Sequence, residues 1–276
     1  MIRILTDTAS DISLDYALKE DISLVSMKVN INNKEYIDKV NLSNDEFYQL
    51  LESSKDFPKT SQPAPLDFIK CFKEAKRNND DLICILVSSN LSGTYQSATL
   101  AKGLVDYDRI HLIDSQSATL GMTILVQEAK KMIKEGKDVK TIINNLEELK
   151  KHIKIYASVN TLEYLSKGGR ISKAVATIGD MASLKPVITI GEGKVAIVGK
   201  AIGINKAISM ICKKIDNQID TNYPVYTVCT KGETNINKLI TKIQSQNIQI
   251  NDTMQIGPTI GSHVGPEAFG IVYIEK

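Results

Sequence analysis

The chain has 276 residues, enough for one large domain or two modest ones. Its 42% hydrophobic and 24% charged residues are those of a soluble globular protein. A net charge of only +2 gives no electrostatic reason for a polyanion partner, so nucleic acid is not expected.

In chain order, "IRILTD" (2–7) and "ISLVSMKVNI" (22–31) predict strands, and helical patterns follow near 43–54 and 65–78. "DLICILVSS" (81–89) and "RIHLIDS" (109–115) predict further strands, with helices near 95–104 and 117–135. Strands alternating with helices imply parallel βαβ units, and "LICILV" is almost wholly apolar, as a strand buried on both faces must be. A helix over about 138–151 ends in "KKHIK", basic residues suited to a helix C-terminus.

From "IYASVN" onward the character changes. "PVITI", "KVAIVGKAI", "PVYTVCT", "DTMQIG" and "FGIVYIE" predict strands with fewer helices between them. "PVITIGEGKVAIVG" reads as a hairpin turning at "GEGK", an antiparallel pair. The expected fold is α/β: an N-terminal Rossmann-like domain with a parallel sheet (1–153), then a C-terminal α+β domain with a mixed sheet (154–276).

The four cysteines, Cys71, Cys84, Cys212 and Cys229, are widely spaced without a C-x-x-C pair, which argues against zinc and against a disulfide framework. "MIRILTDTAS" turns polar too early for a signal or transit peptide, and no apolar run approaches the ~18 residues of a membrane span. A reduced, cytoplasmic protein is the expectation.

Four polar clusters stand out. "KTSQPAP" offers Thr60 and Ser61 before a proline-stiffened loop; "SSNLSGTYQS" offers Ser92, Gly93 and Thr94 where a strand meets a helix. "YLSKGGRIS" sets Lys167 and Arg170 around two glycines, and "IGPTIGSHVGPEAFG" holds His263 among glycines and prolines. Ligands of parallel α/β sheets sit at the carboxyl ends of strands, and neutral donors at a helix start suit an anionic head group. The same hydroxyls serve equally well as helix caps, and the paired glycines as a plain turn.

Specific chemistries find little support. Ser92 lies in "NLSGT", which lacks the first glycine of a G-x-S-x-G elbow; no GxxxxGK[ST] string occurs; the first strand leads into "TDTASD" rather than G-x-G-x-x-G. His111 and His152 lie on strand or helix ends without metal-ligand spacing, so no metal is expected. Binding is better supported than catalysis.

Taken together, "TDTASD", "TSQPAP", "SSNLSGTYQSA", "LIDSQSATLG", "LEYLSKGGRI" and "IGSHVGPEAFG" resemble, in order and spacing, the DegV family, which includes the fatty-acid-binding subunits of bacterial fatty acid kinase. The resemblance implies a non-enzymatic carrier with no cofactor, its ligand a long-chain fatty acid of about C14–C18 buried between sheet and helices. It implies a carboxylate held at Thr60 and Ser92, with Ser61, Gly93 and Thr94 beside them and His263 nearby. Arg170, with Lys167 and Lys200, is implied in work with a partner kinase that phosphorylates the bound acid, and passing contact with a membrane surface fits the same picture. His263, with an ordinary pKa near 6.5, is open to either protonation state.

Two stretches depart from the family pattern. Where kinase-active members commonly carry a basic "GKxRTxKKA", this chain reads "GKAIGINKA": Lys200 and Lys206 remain, with Ile202 and Ile204 between them. Where "GPGA" is common the chain has "GPEA", with Glu267. A lipid sensor without a kinase, or a hydrolase using Ser92 and His263, are the alternatives. "SATLGMTILV" (117–126) suits either the lining of a narrow acyl channel or a helix packed on a sheet.

Overall fold

The computed structural model describes residues 1–176 and 183–276. Strand β1 (Ile2–Asp7) runs through a 3-10 turn into helix α1 (Leu14–Lys19), whose start is capped by the Ser13 hydroxyl. The expected strand 22–31 is two strands, β2 (Ile22–Val25) and β3 (Lys28–Ile31), in different sheets. The break falls at Met27, whose N–H donates to Thr8 Oγ1 and whose carbonyl accepts from Asp38 N–H, so its backbone is not free for a ladder. Strand β4 (Lys34–Ile37) returns through Asn32-Asn33, both at positive φ, a hairpin turn not anticipated from the sequence. Helix α2 (Asn44–Ser53) opens on a Ser43/Glu46 capping box, and β5 (Lys59–Ser61) pairs with β3.

Helix α3 (Pro65–Asn78) starts on proline and stops at Asn79 in the left-handed region. Strand β6 (Asp81–Leu86), helix α4 (Thr94–Val105), strand β7 (Ile110–Asp114) and helices α5 (Leu120–Lys134) and α6 (Val139–Leu149) complete the first half. Its sheet has the order β2-β1-β6-β7, every pair parallel. Phe68 and Phe72 of α3 cover one face with α4, while α5 and α6 cover the other.

The second half contains β8 (Ile153–Ser158), α7 (Glu163–Lys167), α8 (Lys173–Ala176), β9 (Leu184–Gly191), β10 (Lys194–Ile202), α9 (Ile204–Ile215), β11 (Tyr226–Cys229), α10 (Thr234–Gln244), β12 (Asp252–Gln255), α11 (Pro258–Val264) and β13 (Phe269–Ile274). Its six strands take the order β10-β9-β8-β13-β11-β12, antiparallel except for β11–β12. The β9–β10 hairpin turns at Glu192-Gly193, both at positive φ, as "GEGK" predicts. The glycine-rich stretch around His263, read as a loop, instead forms α11, with Pro258 at its first position.

Helix α5 lies between the two sheets. Ile124 and Val126 share one core with Ile4 and Ile85 of the first sheet and Val228 and Val272 of the second. Every residue from Leu120 to Val126 is buried, as a helix enclosed on both sides requires. Packing therefore accounts for most of "SATLGMTILV". Helices α9 and α10 close the outer face of the second sheet around Ile211, Leu239 and Phe269.

Candidate functional site

The three sheets converge on one cavity whose atom-free space, its open mouth included, is about 790 Å³. The first half supplies Ala9, Val87, Leu91 and Ala118, each just beyond the carboxyl end of a strand. The second supplies side chains within strands, among them Ile155, Ala157, Ile188 and Val195, and α11 adds Ile260 and Val264. Most of the wall is aliphatic.

Against this lining, Thr60, Ser92, Arg170 and His263 face one cavity from four separate segments. Thr60 Oγ1 lies 2.8 Å from His263 Nε2. Arg170 Nε donates to the carbonyl of Leu91 (2.9 Å), the residue before Ser92, and its Nη1 to the carbonyl of Gly168. Among the described residues the guanidinium has no carboxylate partner, and burial pulls its pKa down. Among the described residues it is a half-buried cation without a counterion.

Local sequence explains these positions. Thr60 and Ser61 are neighbours on β5 and point to opposite faces, so Thr60 reaches the cavity while Ser61 is exposed. Gly168 is small because His263 is close: a Cβ there would collide with the imidazole Nδ1. Gly169, at φ 75°, turns the chain so that Arg170 doubles back inward.

His263 is 8% exposed, and burial, with the Arg170 charge second, lowers its pKa to about 3. Of the two states left open by sequence, the ligand-free site therefore holds the neutral ring. Nδ1 is buried and, among the described residues, without a hydrogen-bond partner. An orphaned buried N–H is rarer than an orphaned lone pair, which favours the tautomer with the proton on Nε2, donating to Thr60 Oγ1. The Thr60 hydroxyl proton is then free to donate to a ligand.

Other expected residues lie elsewhere. Gly93 sits under Gln62, whose amide would clash with a Cβ, and Gln62 Nε2 bonds Ser97 Oγ at 3.2 Å. Thr94 is fully buried and bonds Ser92, Oγ1 to Oγ at 2.8 Å, while its N–H donates to the same Oγ. Thr94 thus supports Ser92, and both Gly93 and Thr94 lie outside the cavity lining. Lys167 is exposed, its Nζ 5.8 Å from the Phe57 ring centroid, and Lys200 is exposed on β10. Ile202 is 58% exposed, and Glu267 is exposed at φ 61°, a conformation in which glycine is unstrained.

Most of the hydroxyls after β6 are structural. Ser88 Oγ donates to the carbonyl of Gly193 (2.7 Å), and Asn90 Nδ2 donates to that of Glu192 (3.2 Å), which ties this loop to the β9–β10 turn. Ser89 bonds Asp114. Ser92 Oγ engages Thr94 rather than His263, so the nucleophile–base pair of a hydrolase is unformed here. Among the described residues no group of three or more His, Cys, Asp or Glu side chains is arranged to hold a metal, and no helix is long and apolar enough to cross a membrane. Three further hydroxyls line the cavity: Thr119, in the stretch suited to a channel lining, and Thr189 and Thr259, which sequence reading missed; the "GP" before "TIGSH" was the available signal for the helix that carries Thr259.

Known proteins resemble this chain in sequence and fold. A DegV domain-containing protein of Caldanaerobacter subterraneus is 35% identical over 100% of this chain and 99% of its own length. One from Staphylococcus aureus is 32% identical over 99% and 98%. Among solved structures, a fatty-acid-binding DegV family protein from Thermus thermophilus superposes with a TM-score of 0.89 at 31% identity, covering 100% of this chain and 99% of that one. A stearic acid-binding protein from Eubacterium ventriosum gives 0.90 at 27% identity, with 100% and 99% coverage. The family model described as "Uncharacterised protein, DegV family" matches residues 1–276, and the chain belongs to the DegV family.

Proposed function

We propose that this protein is a carrier that buries one long-chain fatty acid and presents its carboxylate to a separate kinase. The observation that carries the reading is the Arg170 guanidinium, without a carboxylate partner among the described residues, grouped with serine and threonine hydroxyls and a neutral imidazole in a cavity walled mostly by apolar side chains. The fatty acids bound by the Thermus and Eubacterium proteins support it. One methylene buried contributes about 0.8 kcal/mol, so ~15 methylenes supply on the order of 12 kcal/mol against binding costs of several. The tail carries the affinity. Hydroxyls of Thr60 and Ser92 orient the carboxylate, and Arg170 supplies charge without locking both oxygens in a salt bridge, which keeps one lone pair available to a phosphoryl donor.

Native mass spectrometry of the purified protein, followed by lipid extraction, tests binding. The expected result is one copurified long-chain acid per chain. A clean ligand-free mass that also refuses added palmitate would sink the reading. Adding ATP and a fatty acid kinase subunit then separates two roles: acyl phosphate formation marks the carrier. Retained lipid without product marks a sensor, the reading favoured by the exposed Ile202 in the stretch that is basic in kinase-active relatives.

A further inference from the structure

Helix α11 carries His263 and the cavity residues Thr259, Ile260 and Val264, yet it lacks a cap of its own. The residue before its first turn is Gly257, which has no side chain to accept the free N–H groups of a helix start. The acceptors come from segments more than two hundred residues earlier. Asp11, the last residue of "TDTASD", accepts the Gly257 N–H through Oδ1 at 2.9 Å and the Thr119 hydroxyl through Oδ2 at 2.6 Å. Asp38 accepts both the N–H of Thr259, at 3.3 Å, and its hydroxyl through one oxygen, Oδ2.

The surroundings are built for this contact. A Cβ at Gly257 would stand 2.8 Å from Asp11 Oδ1, so only glycine admits the carboxylate. Gly261 packs on Phe47 and Tyr48, and the Tyr48 hydroxyl donates to the carbonyl of Ile256 at 2.7 Å. Thr119 is held at φ 50° and ψ −137°, an unusual backbone for a β-branched residue. Asp7, Asp11 and Asp38 crowd together with Lys39, whose ammonium is bonded to the Ile12 carbonyl.

Stability alone does not explain this arrangement. Buried carboxylates cost free energy unless fully paired, and among the described residues Asp38 Oδ1 is buried without a hydrogen-bond partner. We infer that Asp11 and Asp38 are positioning residues of the head-group site: they hold the first turn of α11 from two sides and so set the His263 ring against Thr60. Thr259 and His263 are four residues apart on one helix face, so a shift of the first turn moves the ring directly. The consequence for ligand binding rests on the fatty-acid reading above; the consequence for the ring does not.

The test reads the ring itself. His263 is one of three histidines, and its nitrogen resonances are assigned in delipidated protein by comparison with His263→Gln. The wild type should show one tautomer, protonated at Nε2. Asp38→Asn and Asp11→Asn should each shift these resonances or mix the tautomers, and weaken palmitate binding about tenfold, the size expected for a lost charged hydrogen bond. Asp80→Asn removes a buried carboxylate that bonds the N-terminal ammonium instead, and it should leave the ring unchanged. If the Asp variants do not fold, Thr259→Val removes the same hydroxyl contact and should shift the ring likewise. Resonances that overlay the wild type in every folded variant would overturn the inference. A wild type that binds no palmitate would remove the ligand, while the ring spectra would still decide the positioning role.

Discussion

The two halves of the molecule build the cavity in different ways. The parallel sheet contributes residues just past the ends of its strands: Ala9 after β1, Val87 and Ser92 after β6, Ala118 after β7. The mixed sheet contributes strand interiors, such as Ile155 and Ala157 of β8 and Ile188 and Ile190 of β9. The polar contacts come mainly from short elements: Ser92 and Arg170 from loops, Thr60 from the short strand β5 and His263 from helix α11. The apolar contacts come from a sheet face, where alternation delivers one aliphatic side chain every second residue. On the proposed reading, the ligand's head meets these short elements and its tail meets a sheet face.

This division can be broken from the tail side with the largest effect. Val195 lies on β10, lines the cavity and is only partly buried, so Val195→Trp inserts bulk without opening the core. Palmitate uptake should fall at least about a hundredfold, since several methylenes lose their place. The chain has no other tryptophan, so the indole also reports the cavity by fluorescence. Undiminished uptake would show that the tail runs elsewhere.

From the head side a smaller effect is expected. Arg170→Met keeps length and removes charge; it should weaken palmitate about tenfold, as a lost charged hydrogen bond does, yet leave the methyl ester unaffected. Equal losses for acid and ester would mean that Arg170 acts through packing.

The smallest effect is on stability. His263, lowered to about 3 in the fold, contributes stability that is present above its unfolded value near 6.5 and is lost as pH falls. Asp7 and Asp11, raised by burial to about 7 and about 6, act in the opposite sense: their contribution is present in acid and lost as pH rises through those values. In the wild type the trends oppose each other between pH 8 and 5. His263→Gln removes one, so its stability in urea melts should rise on going from pH 8 to 5 relative to the wild type. Parallel curves would refute the burial account of His263.

Much of this was legible in the chain itself. Apolar runs such as "LICILV" marked buried strands because a parallel sheet is covered on both faces, and "GEGK" marked its hairpin because only certain residues accept positive φ. The segments carrying Thr60, Ser92, Arg170 and His263 were legible as polar clusters at strand and helix ends. Their meeting point followed only from the family resemblance, because Thr60 and His263 are 203 residues apart and only tertiary packing joins them. Asp38 was invisible for the same reason: "YIDKV" carries no local signal, and its partner Thr259 lies 221 residues away. Met27 divided an expected strand because its backbone bonds outside either ladder, which no propensity records.

The last strand of the chain, β13, occupies the middle of its sheet, between β8 and β11. Helix α5 buries itself against that strand as well as against β1. On a ribosome adding about 5–20 residues per second, α5 emerges well before Ile274, on the order of ten seconds earlier. For that interval its second apolar face has nothing to cover it, and β8 and β11 have no strand between them. The nascent chain thus carries uncovered apolar surface over that interval, and removing β13 would leave the second sheet split down its centre.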